Sequence, residues 1–173
     1  MALNYEKIRK EALKHEKRMI KFLRDMVAIP SESGQEADVI ERIEKELHST
    51  GAFDKVWRDK LGNLLAQIGS GPRLIAIDAH VDTVGVGPRH EWKHDPYKGK
   101  VENGIVYGRG AGDQEGAVPA MVYAGKVIKD LGLRSDEWTL LFTFTVMEED
   151  CDGLCWQYIY NEDKIRPECV IVT

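Results

Sequence analysis

The sequence predicts an α/β fold, a mostly parallel sheet flanked by helices. Three observations carry that prediction. Arg73–Ala79 and Thr139–Met147 are runs of apolar and β-branched residues that read as buried strands. A helical pattern from about Gly116 to Leu131 lies between them. Strands and helices then alternate along the remaining chain, the signature of a sheet with helices on its faces. At 173 residues the chain can bury one sizeable core, and it contains no repeat, low-complexity tract or linker.

The elements follow in order. Tyr5, Ile8, Ala12, Met19, Leu23 and Met26 recur at helical spacing, which predicts one amphipathic helix over 4–28, ended by Ile29-Pro30. Ser33 and Glu36 form a capping-box pattern for a second helix, with Ile40, Ile43 and Leu47 inward and Gly51 beyond its end. Lys55–Asp59 and Asn63–Ile68 read as strands around the Leu61-Gly62 turn, and Arg73–Ala79 as the central strand. Residues 85–100 are loop-like. Val101 and Ile105–Tyr107 make a hairpin around Glu102-Asn103-Gly104. Pro119 fits the next helix only if that helix starts near Val118, because an interior proline removes a hydrogen bond and clashes. Asp152 is placed to cap a short helix through Tyr160, and Cys169–Val172 begins a last strand.

Composition narrows the function classes. The chain carries 24 Lys+Arg against 29 Asp+Glu, a net charge of -5, which gives no support for nucleic-acid binding. No apolar stretch is long enough to cross a bilayer, and the charged N-terminus MALNYEKIRKEALKHEKR lacks a signal-peptide apolar region. Cys151, Cys155 and Cys169, an odd number without a secretory signal, read as reduced thiols in a cytoplasm. Their spacing makes no zinc finger.

The segment IAIDAHVDTV at 75–84 carries the first chemistry. Side chains alternate along a strand, so His80 and Asp82 share a side at its C-terminal end. That edge is where ligands bind in open α/β sheets. A carboxylate that takes one imidazole N–H leaves the other nitrogen facing a metal. Alone, His-x-Asp reads first as a histidine hydrogen-bonded in the loop after a core strand. Two further segments join it. Gly108-Arg109-Gly110-Ala111-Gly112-Asp113 is a glycine-rich turn that delivers a carboxylate just before a helix. Met147-Glu148-Glu149-Asp150 puts three acids at the end of a buried strand, where they repel one another unless a cation sits among them. Together these groups suit a hard or borderline divalent cation, with zinc the leading candidate.

On these residues the chain resembles the dizinc aminoacylase, carboxypeptidase and acetylornithine deacetylase family of peptidases. The matching segments are IPSESGQE at 29–36, DKLGNLLA at 59–66, DAHVDTV at 78–84, YGRGAGDQEG at 107–116 and VMEED at 146–150. EEDCDGLCWQYI and DQEG bring it close to the selenium-metabolism hydrolase subgroup. The resemblance implies a truncated zinc-peptidase-like catalytic domain, with residues 1–173 its N-terminal part and the lid or dimerisation domain and C-terminal part absent. It implies that His80 ligates one zinc, that Asp82 orients His80, that Asp113 bridges two zincs, and that Glu149 ligates the other. Glu148 would be the general base, acting on water beside a pair of zincs, with cobalt or manganese as alternatives. Adjacent glutamates in extended chain point opposite ways, so one can bind metal while the other stays free. It also implies a cis peptide between Asp113 and Gln114. The implied reaction is hydrolysis of an amide bond in a small peptide or N-acyl amino acid, in a protein that can form homo-oligomers. Where relatives carry a lysine after the bridging Asp, this chain has Gln114-Glu115-Gly116, which leaves substrate preference open. His15, His48, His90 and His94 match no ligand motif and read as surface or loop residues. Two other readings stand beside this one. One is a catalytically silent fragment or non-enzymatic remnant; the other is a one-metal hydrolase completed by water or another chain. The apolar strand CVIVT, left bare at a sheet edge, leads us to expect self-association of the chain.

Overall fold

Five strands form the main sheet of the computed structural model, which describes residues 4–173. Met1–Leu3, the start of the charged N-terminal stretch, lie outside the described residues. In chain order the strands are β1 (Lys55–Arg58), β2 (Leu64–Ile68), β3 (Arg73–His80), β6 (Trp138–Thr145) and β7 (Cys169–Val172), and in space they run β1-β2-β6-β3-β7. β3 pairs in parallel with β6 from Arg73↔Trp138 to His80↔Thr145, and with β7 from Ile75↔Cys169 to Asp78↔Val172. β2 is antiparallel to both β1 and β6, so four of the five strands point the same way. A separate hairpin joins β4 (Lys100–Glu102) to β5 (Ile105–Tyr107), with Asn103 and Gly104 at positive φ in its turn.

One face of the sheet is covered by α2 (Glu16–Val27), α3 (Ala37–Thr50) and α4 (Ala117–Asp130). Phe22, Met26, Ile40, Ile43, Leu47, Met121 and Val122 from these helices meet Leu64, Ala66, Phe142 and Phe144 from the strands. A smaller cluster of Leu65, Ala76 and Leu141 lies on the other face, with Trp156 of α6 (Leu154–Asn161) against it. Phe142 is fully buried on β6, and its ring meets the Phe53 ring edge-on at 5.3 Å. Phe142→Ala is therefore expected to destabilise the fold by about 3–5 kcal/mol. Urea unfolding measures this, and a loss below ~1 kcal/mol would mean that the core refills the cavity. β7 is an edge strand on which Ile171 and Val172 are exposed.

Four features differ from the sequence expectation. The single N-terminal helix is two helices, α1 (Tyr5–Leu13) and α2, broken at Lys14-His15. The Lys14 and His15 amides bond three residues back, to Glu11 and Ala12 carbonyls, and tighten the chain into a turn. The His15 ring lies 5.1 Å from the Tyr123 ring, and the bend lets both helices pack on α4. The expected strand Thr139–Met147 stops at Thr145. Met147 takes a left-handed conformation, φ 58°, and a one-turn helix, α5 (Glu148–Cys151), follows. Asp152 ends that turn instead of starting the next helix, whose N-cap is Gly153. The capping box is also absent: Glu36 sits at the N-cap of α3 without a side-chain cap bond, and Ser33 bonds elsewhere. Pro119 occupies the third position of α4, a first-turn residue whose N–H would have no helical partner in any case.

Candidate metal centre

Three chain segments bring their acids to the C-terminal end of β3. His80 is the last residue of β3 and is buried. Its Nδ1 lies 3.0 Å from the Asp82 main-chain carbonyl and 3.4 Å from Asp82 Oδ1, so both parts of one residue fix the ring. The sequence reading assigned that task to the carboxylate alone. Nε2 is then free to face outward. It lies 3.2 Å from Asp113 Oδ1 and 3.7 Å from Glu148 Oε2.

Asp113 arrives on the glycine-rich turn after β5. Gly110 holds φ 77° there, and a Cβ at that position would lie 2.8 Å from Thr83 Cγ2 and from Glu115 Oε2, so no larger residue fits. The Asp113-Gln114 peptide is cis, as the resemblance implies. Gln114 Oε1 accepts the His80 main-chain N–H at 3.0 Å and registers the turn against the strand end. Glu115 is buried beneath the turn, and burial pushes its carboxyl up to about 8. Gln114 and Glu115 are thus both built into the support of the site.

Glu148 and Glu149 stand in the α5 turn, not in extended chain. Their separation by one helical step replaces the expected strand alternation. The cause is Asp82, which is completely buried and accepts the Glu148 N–H at 3.1 Å and the Glu149 N–H at 3.0 Å. Burial opposes ionisation of Asp82, but His80, Ser33 and these two amides outweigh it and hold the carboxyl below its ordinary range.

One ligating atom each from His80, Asp113 and Glu149 falls within a 4.8 Å spread. Two ligands on one tetrahedral zinc, at bonds of ~2.0–2.1 Å, stand about 3.3 Å apart. The 3.2 Å between His80 Nε2 and Asp113 Oδ1 fits that spacing. The electrostatics agree. Burial lowers the His80 pKa, but Asp82 and Glu148 overcome it and push the imidazole up to about 9. Burial and the Asp113 charge raise Glu149. An anionic cluster that draws a proton onto His80 favours a cation, which must displace that proton to reach Nε2.

A second cluster, Glu11, His15 and Asp130, also gathers within ligating range. There Lys14 already pairs with Glu11 and Lys126 with Asp130. His94 packs edge-on against Tyr107 and faces Glu102. Sequence reasoning missed Ser33, Glu36 and Gln114 as supports of the site. The motif IPSESGQE contains the first two, but its local spacing reads as a helix cap.

The family model described as peptidase family M20/M25/M40 matches residues 76–172. Uncharacterized protein YgeY of Escherichia coli K12 is 56% identical over 169 residues, covering 98% of this chain and 41% of that protein. Succinyl-diaminopimelate desuccinylase of Beijerinckia indica is 33% identical over 107 residues, or 58% of this chain and 28% of the enzyme. Among solved structures, the dipeptidase Dug1p of Saccharomyces cerevisiae superposes with a TM-score of 0.83 at 18% identity, over 100% of this chain and 41% of that one. Bacillus subtilis YXEP, described as a dinuclear metal binding peptidase, superposes at 0.68 and 18% identity, over 90% and 42%. The chain spans about two fifths of the length of the YgeY relative.

Proposed function

This chain belongs to peptidase family M20/M25/M40, and from that premise we propose that it is the N-terminal part of the catalytic domain of a metal-dependent hydrolase that cleaves an amide bond. The observation that carries the reading is the convergence of His80, Asp113 and Glu149 within 4.8 Å at the end of the central strands. In this reading His80 would hold one metal and Glu149 the other, and Asp113 would serve both. Zinc suits the mixed imidazole and carboxylate set, with cobalt or manganese as alternatives. A bound pair of divalent cations polarises the scissile carbonyl and makes water nucleophilic near neutral pH.

The chain's own residues do the rest. Asp82 holds the His80 ring and the α5 turn in one frame. Glu148 Oε2 lies 3.7 Å from His80 Nε2, and its side chain is 44% exposed. That position serves a general base, which takes the proton from water and returns it to the departing amine nitrogen. The substrate class is a small peptide or N-acyl amino acid. The net charge of -5 argues against nucleic acid as a partner. Among the described residues no helix is long and apolar enough to cross a membrane. We place the enzyme in the cytoplasm on its cysteine usage, and leave room for a homo-oligomer. Among the described residues three donors gather here, too few to close two four-coordinate positions without water filling the gaps, so the 173-residue chain by itself is expected to show little or no hydrolysis.

Chelation tests the reading. The full-length protein, assayed on dipeptides and N-acyl amino acids, should lose hydrolysis when stripped of metal and regain it with zinc, cobalt or manganese. Undiminished hydrolysis by protein shown to be metal-free would sink it.

A further inference from the structure

We propose that Ser33 is a positioning residue of the metal centre, acting through Asp82; the inference rests on the metal reading of His80, Asp113 and Glu149. Ser33 Oγ donates to Asp82 Oδ2 at 2.6 Å. The same buried carboxylate accepts the Glu148 and Glu149 amides and faces His80 Nδ1. One carboxylate thereby ties together three segments that are far apart in sequence: the loop before α3, the end of β3, and the α5 turn. An aspartate's carboxylate plane turns freely about its last torsion unless its oxygens are held. Without the hydroxyl, Oδ2 keeps only the Glu149 amide and Oδ1 the Glu148 amide, and the common reference of the imidazole and the acid-bearing turn is loosened.

The loop reaches Asp82 without help from that hydroxyl. The Thr83 amide donates to the Ser31 carbonyl at 2.9 Å, and Glu32 bridges Thr83. Glu36 Oε1 accepts both the Gly34 amide, at 2.9 Å, and the Met147 amide, at 3.0 Å, and so clamps the loop to the start of the α5 turn. Removing Oγ should leave the loop in place and take from the carboxylate one of its anchors alone.

The test compares Ser33→Ala and Ser33→Thr with the unaltered full-length protein, stripped of metal and titrated with zinc alone. Ser33→Ala is expected to weaken zinc binding by ~10–100-fold, the range for disturbing the hydrogen-bond partner of a metal ligand. Ser33→Thr, which keeps the hydroxyl, should restore it. Amide hydrogen exchange of metal-free protein gives a second readout. Residues 148 and 149 should exchange on the order of tenfold faster in Ser33→Ala and normally in Ser33→Thr. Unchanged zinc affinity in Ser33→Ala, or a Ser33→Thr as weak as the alanine variant, overturns the proposal. So does a Ser33→Ala chain that fails to fold, because the loop is required to stand without the hydroxyl. If the unaltered protein binds none of zinc, cobalt and manganese, the metal reading falls instead. Exchange at 148 and 149 then decides separately whether Ser33 holds the turn.

Discussion

Glu148→Gln in the full-length enzyme is expected to keep its metal and lose turnover by ~10²–10⁴-fold, the usual contribution of a positioned acid–base group. The substitution preserves size and the α5 backbone, whose amides are held by Asp82 and not by the Glu148 side chain. Glutamine cannot accept the proton that water gives up, so the effect should fall on kcat, with KM and metal content little changed. Metal analysis beside steady-state kinetics separates these quantities. Near-normal turnover would remove Glu148 from the role of base, and loss of metal would make it a ligand.

His80→Ala should behave in the opposite way. His80 supplies the imidazole of the cluster, and its ring is held by the Asp82 carbonyl with Nε2 3.2 Å from Asp113. Its removal also leaves the buried Asp82 carboxylate with one fewer compensating group. Zinc affinity should drop by well over the ~10–100-fold that follows from disturbing a ligand's hydrogen-bond partner, and hydrolysis should vanish with the metal. Equilibrium dialysis against zinc measures the first effect. If His80→Ala keeps full metal content, the donor set proposed above is wrong.

The two variants probe residues of different legibility. His80, Asp113 and Glu149 can be picked out from the sequence because each follows a run with a strong local signal: apolar strands before His80 and Glu149, a glycine-rich turn before Asp113. The strands β3 and β6 and the helix α4 come from the same kind of information. Periodicity and turn chemistry act over a few residues, and their ends fall within a residue or two of the observed ones. The motif order in the chain was also enough to suggest the family that residues 76–172 match.

Long-range hydrogen bonds decided the rest. Glu148 and Glu149 follow a strand and by local pattern would continue it, yet their amides turn toward Asp82, 66 and 67 residues away in sequence. Ser33 carries the spacing of a helix cap, yet a buried carboxylate 49 residues on is the stronger acceptor. The N-terminal helix has unbroken helical periodicity, yet it bends at His15 to lie along α4. In each case a local preference worth a few tenths of a kcal/mol to about one kcal/mol yields to a buried charged group that must be hydrogen-bonded, or to a face that must be covered. Residue type and spacing therefore named the groups that can do chemistry, and only the folded chain, by closing contacts across dozens of residues, set the directions in which they point.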